Sequence, residues 1–157
     1  MTVVNVFWYD KVTNEQLYKR CNSKPISLQV VDARWRLFGH TLRLHEDTPA
    51  RMSMAYYFVK DLPGRKGNHT TISSVLSSEY KDSTGLTIRG SQEYLRVVEY
   101  AQDRTRWREL VDQVVSCQHK LYLEREKRRT EKRQAAKRKR EEHAAEKAVA
   151  CVRRRFK

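Results

Sequence analysis

An all-α fold is predicted from three observations: a small head of five or six helices, then a long basic C-terminal helix. Leu28, Val31, Trp35, Phe38 and Leu42 step by 3, 4, 3 and 4, the spacing of one buried helical stripe. Thr13-Asn14-Glu15-Gln16 has the form of a capping box, which opens a helix by pairing the Thr13 hydroxyl with the Gln16 N–H and the Gln16 side chain with the Thr13 N–H. Past Leu123 the apolar stripe vanishes while helix-favouring Glu, Lys, Arg, Gln and Ala continue. The expected organisation is a helical region over residues 1–117 and a charged helical tail over 118–157.

The elements follow in order. Val3 to Tyr9 is apolar with no cap or partner of its own, and reads as a segment cut from something larger. A short helix runs from about Asn14 to Cys21, and Asn22 to Pro25 end it. The second helix carries the Leu28–Leu42 stripe inward. At about 100° per residue it sets Asp32, Arg36, His40 and Arg43 on the opposite face. Gly39 borders that stripe, where a mid-helix glycine costs about 1 kcal/mol relative to alanine. Close approach of another backbone is the expected compensation. Thr48-Pro49 places proline at a first helical position, for a helix to about Lys60 that stops at Pro63-Gly64. Thr71 caps a short helix through Tyr80 with Ile72, Val75 and Leu76 on one side, and Asp82 to Gly85 form the next loop. From Ser91 a helix turns Tyr94, Leu95, Val98 and Ala101 inward. Trp107 falls out of phase with it, so a break is expected near Asp103, which caps a new helix with Trp107, Leu110, Val111, Val114 and Leu121 on its apolar side. In the tail, Glu124 with Arg128, Lys127 with Glu131, Lys137 with Glu141 and Arg138 with Glu142 are opposite charges four apart, a pattern that supports a solvated helix.

Charge narrows the function. The 157 residues carry 33 Lys and Arg against 19 Asp and Glu, a net +14. Residues 118–157 alone hold 16 basic and 6 acidic side chains. A neutral metabolic-enzyme surface is excluded as the simplest reading, and a polyanionic partner is indicated. Cys21, Cys117 and Cys151 are odd in number and far apart, with no CxxC pair, so neither a disulfide framework nor a zinc ribbon is indicated. No nucleophile and base are marked as neighbours, and no cofactor is called for. No apolar run approaches the roughly 18 residues that cross a bilayer, and residues 1–9 lack a basic signal-peptide start. The expected setting is intracellular and reducing, with no membrane partner.

Three ordered stretches carry a family pattern. Trp8-Tyr9-Asp10-Lys11-Val12-Thr13-Asn14-Glu15-Gln16-Leu17 resembles W-x-D-x-V-T-N-E-E-L of the post-polymerase region of non-LTR (LINE-type) retrotransposon reverse transcriptases, of the RTE and CR1-like kind. Arg34 to Arg43 is similar to that family's R-x-L-R-W-x-G-H-V-x-R, with the tryptophan three residues early at Trp35 and Phe38 in its place. Ala101 to Arg108 is similar to A-x-D-R-x-x-W-R, and Gly64-Arg65-Lys66 matches part of a G-R-P-R/K element. The resemblance covers roughly residues 6–115. It implies an accessory segment of a reverse transcriptase that engages template RNA or target DNA. The family's palm, with its paired metal-binding aspartates, lies upstream, and this chain has no adjacent Asp pair of the Y-x-D-D type. The tail lies outside the matched pattern.

The candidate contacts are therefore nucleic-acid contacts. Arg36, His40 and Arg43 at i, i+4 and i+7 suit phosphates along one helix ridge. Arg65 and Lys66 form a basic turn. Arg104, Arg106 and Arg108 surround Trp107, which is itself expected in the core. In the tail, Lys132, Arg133, Lys137, Arg138, Lys139 and Arg140 are dense enough for non-specific binding to an RNA or DNA backbone and for a nuclear import receptor. The expected function is that of a non-catalytic nucleic-acid-binding remnant of a retroelement reverse transcriptase, in the nucleus or cytoplasm. The alternatives are an interaction protein that pairs its charged helix with a partner, with Ala145, Val149, Val152 and Phe156 as a short seam, and a translated transposon fragment without selected function.

Overall fold

The computed structural model describes residues 6–59 and 71–155. They are all-helical: a 3-10 turn at Trp8–Asp10, then α1 (Asn14–Arg20), α2 (Ile26–Leu42), α3 (Pro49–Val59), α4 (Ile72–Thr84), α5 (Ser91–Gln102) and α6 (Arg104–Arg155). No strand occurs among the described residues. The chain divides into two compact units, Met1–Gln118 and His119–Lys157.

Local chemistry starts and stops these helices. At α1 the Thr13 Oγ1 accepts from the Gln16 N–H at 3.3 Å, and Gln16 Oε1 accepts from the Thr13 N–H at 3.0 Å. Asn22 then takes φ 47°, a left-handed conformation that asparagine tolerates, and the helix ends. Thr71 caps α4 in the same manner, its Oγ1 accepting from the Ser74 N–H at 3.2 Å. Asp103 separates α5 from α6: its Oδ1 accepts from the N–H groups of Thr105 and Arg106 at 2.8 and 3.2 Å. The opening segment does have a cap. Asp10 Oδ2 accepts from the Phe7 N–H at 2.9 Å, and the exposed Phe7 and Tyr9 rings stack at 5.3 Å.

The core of the first unit is built around Trp35. All five stripe residues of α2 are buried, Trp35 and Leu42 completely. The Trp35 ring lies 5.8 Å from Phe38, 5.8 Å from Trp107 and 6.2 Å from Tyr80, and the cluster continues through Phe58 to Tyr94. Both indole N–H groups are used: Trp35 Nε1 donates to Glu79 Oε2 at 2.8 Å, and Trp107 Nε1 to the Trp35 carbonyl at 3.2 Å. The other Glu79 oxygen accepts from the Arg34 guanidinium. A carboxylate this buried is tolerated because both its oxygens are paired, and breaking either bond would leave an uncompensated group.

Four sequence expectations are corrected here. The group seated against Gly39 is the Trp107 side chain, not a backbone: a Cβ on Gly39 would fall 2.0 Å from Trp107 Nε1 and 2.5 Å from Cε2. In α4 the buried face is Ser73, Leu76 and Glu79, while Ile72 is exposed. That helix runs past Tyr80 to Thr84, because the Ser83 and Thr84 hydroxyls donate to the Tyr80 carbonyl and Gly85 ends it in the left-handed region, its N–H on Lys81 O. Asp82 and Ser83 are thus helical, and they receive Gln118 and Gln113 of α6 at 3.0 and 3.1 Å. In α5 it is Val97 that is buried, and Leu95 is exposed. The stop at Pro63-Gly64 lies outside the described residues. Ile88 enters the core from a loop, where its N–H donates to Ser77 Oγ at 3.2 Å.

Tyr94 is buried with its hydroxyl unpaired among the described residues. Burial raises its pKa, against the field of Arg51. Since the folded pKa exceeds the unfolded one, the neutral phenol contributes stability below about pH 10, and this is lost as pH rises through the folded value. Tyr94→Phe should raise stability by about 1 kcal/mol at neutral pH, by removing an unpaired buried hydroxyl, and should flatten the alkaline loss. Urea unfolding at neutral and alkaline pH measures both.

In the second unit, α6 continues as a solvated helix. Side chains from Lys127 to His143 are exposed. Glu124–Arg128 and Lys137–Glu141 pair at 4.0 and 3.8 Å as their spacing predicts. The pairs Lys127–Glu131 and Arg138–Glu142 are not among the described ion pairs. Glu126 instead engages Arg129 one turn on, at 2.6 Å.

Candidate nucleic-acid interface

In the head, α6 begins with the Trp107 indole packed against α2. Gly39 lets the Trp107 indole lie against α2, and this sets the start of α6 beside the flank of α2 that carries Asp32, Arg36 and Arg43. The Arg43 pKa is lowered, first by burial and then by the charge of Arg104, so the two guanidiniums stand close enough to repel. About 100° per residue along α6 puts Arg104 and Arg108 on one flank of Trp107 and Arg106 on the other.

The predicted residues fare differently. Arg36 is 72% exposed, and its Nε donates to Asp32 Oδ1 at 3.0 Å, an i,i+4 surface pair that phosphate can displace. His40 is exposed. Arg43 does not face solvent freely: it is half-buried, and its Nη1 donates to the Ala101 carbonyl at 3.0 Å, tying the end of α2 to the end of α5. Its first role is structural. Arg104 and Arg108 are exposed, whereas Arg106 is held to Asp103 at 3.3 Å. Arg65 and Lys66 lie outside the described residues. Arg36, Arg104 and Arg108 are thus the open head cations of the predicted set, and His40 is exposed on the same helix as Arg36.

The tail residues Lys132, Arg133, Lys137, Arg138, Lys139 and Arg140 are all exposed on α6. Of these, Lys137 is paired, with Glu141. Further exposed cations precede them, among them Arg125, Arg128 and Arg129, which lie outside the predicted set. The signal that finds them is helical spacing: they stand seven, four and three residues before Lys132.

Among the described residues no three His, Cys, Asp or Glu side chains converge on a metal-sized site. Cys21 is exposed, and Cys117 is half-buried with its thiol directed at the Asp82 carbonyl. Among the same residues no helix is long and apolar enough to cross a membrane. Comparison with protein-family models, with curated proteins and with solved structures finds no match.

Proposed function

We propose that this chain is a non-catalytic nucleic-acid-binding protein, of the kind found behind the polymerase of retroelement reverse transcriptases. The observation that carries the reading is the solvated stretch of α6, where cations from Arg125 to Arg140 stand exposed on a helix that buries nothing there. Such a helix has no packing reason to hold this charge, and a polyanion supplies one. The three motif stretches point to the same partner, RNA or DNA. Delivery to the nucleus through the Lys137–Arg140 run accords with it.

Binding of this kind releases counterions. If the tail neutralises about six phosphates, log affinity for duplex DNA should fall with log salt at a slope near −5, with little dependence on base sequence. Fluorescence anisotropy of the full chain on a labelled duplex, titrated from low to physiological salt, measures the slope. No binding at low salt would overturn the reading.

A second reading has one observation in its favour. Ile26, Val30, Ala33 and Leu37 step by 4, 3 and 4 along α2 and are all exposed, the pattern of a seam for a partner helix. Failure to bind nucleic acid would favour this interaction-protein alternative.

A further inference from the structure

The tail helix sorts its charge by face. Taking about 100° per residue from Glu124, an arc of roughly 140° carries Arg125, Arg128, Arg129, Lys132, Arg133, Lys139 and Arg140, with Ala136 and His143. No acidic residue between Arg125 and His143 falls on that arc: Glu126, Glu131, Glu141 and Glu142 all lie on the remainder, with Lys127, Lys137 and Arg138. The linear run Lys137-Arg138-Lys139-Arg140 is therefore split, its first two members among the glutamates and its last two on the basic ridge. Two ridge arginines sit at the ridge's borders with glutamates, Arg128 with Glu124 and Arg129 with Glu126.

Resting on the nucleic-acid reading, we infer that this ridge is a docking face for the major groove of B-form duplex DNA. A charge-sorted helix fits a groove, not a point: the border cations on each side (Arg128 and Lys139 on one, Arg129, Arg133 and Arg140 on the other) face the two phosphate walls. The B-DNA major groove, about 12 Å wide, admits one α-helix between those walls. Ala136, midway round the arc, leaves room for the helix to approach the groove floor. Glu131, Glu141 and Glu142 lie off the ridge, and Glu124 and Glu126 at its borders are held in pairs with Arg128 and Arg129. A-form RNA has a deep, narrow major groove that does not admit a helix in this way, so DNA duplex is the preferred partner. The face offers no Asn or Gln for adenine readout, and its border cations are placed to grip the phosphate walls.

The test compares two triple substitutions in the full chain that remove the same charge. Arg129→Gln/Arg133→Gln/Arg140→Gln strips the ridge, and Lys127→Gln/Lys137→Gln/Arg138→Gln strips the opposite face. Glutamine keeps helix propensity, and circular dichroism checks that both remain helical. On a 25-base-pair DNA duplex the ridge variant should lose affinity at least about tenfold, with the salt slope shallower by about 2.7, while the opposite-face variant should lose less than about threefold. The unsubstituted chain should bind an RNA duplex of the same sequence about tenfold or more weakly than DNA. Equal losses from the two variants, or equal affinity for the two duplexes, would overturn the groove inference while leaving nucleic-acid binding itself intact. Absence of binding by the unsubstituted chain would overturn the underlying function instead.

Discussion

Trp35→Ala is expected to lower the unfolding free energy by about 3–5 kcal/mol, a large share of what a domain of this size holds. The indole is completely buried and touches the Phe38, Tyr80 and Trp107 rings, so its removal leaves a cavity at the meeting point of α2, α4 and α6. It also strands one oxygen of the buried Glu79, which then has Arg34 alone. Trp35→Phe separates the two losses: most of the ring volume stays, the donor goes, and the expected cost is about 1–3 kcal/mol for the unpaired carboxylate oxygen together with the lost ring. Arg36→Ala, one residue on and exposed, should stay within about 0.5 kcal/mol. Urea unfolding monitored by circular dichroism ranks the three, and a reversed order of Trp35→Ala and Arg36→Ala would contradict the helix register.

Ending the chain at Gln118 is expected to weaken DNA binding by about a thousandfold near 0.1 M salt and to reduce the salt slope from about −5 to near zero. The 16 basic and 6 acidic side chains beyond that point carry most of the net +14. The head should survive the cut, because the buried face of α6, Trp107, Leu110, Val111 and Val114, lies before it, as do its bonds to Asp82 and Ser83. Thermal melts check the fold, and salt titrations of both chains check the binding. Equal affinity and slope would place the binding in the head, where Arg36, Arg104 and Arg108 are the open cations.

Much of the fold was legible in the sequence because it rests on short-range rules. The Thr13 and Thr71 caps, the break at Asp103 and the five-residue stripe of α2 are each decided within one or two helical turns. The misjudged faces are those where two apolar arcs competed. In α5 both Leu95 and Val97 are apolar, and only the packing of α3 and α2 on that helix selects Val97. In α4 a polar residue holds the inward place: Glu79 reads as a surface carboxylate until Arg34 and Trp35 arrive from a helix 45 positions away in sequence. Of the candidate contacts, exposure of the tail cations followed from their lack of an apolar stripe, whereas the seating of Arg43 on the Ala101 carbonyl did not.

By itself the sequence determined the helical class, the helix starts, the identity of the core tryptophans and the division between a packed head and a solvated basic tail. These depend on periodicity, capping chemistry and local charge density, all read along a single stretch of chain. The tertiary structure alone decided that Gly39 receives the Trp107 indole, that Glu79 is a buried partner of Trp35 and Arg34, and that Arg43 is seated on the Ala101 carbonyl. Each of these joins residues more than 40 positions apart, and the free energy of such a contact depends on which surfaces exclude water together, a property of the packed chain and of no segment within it.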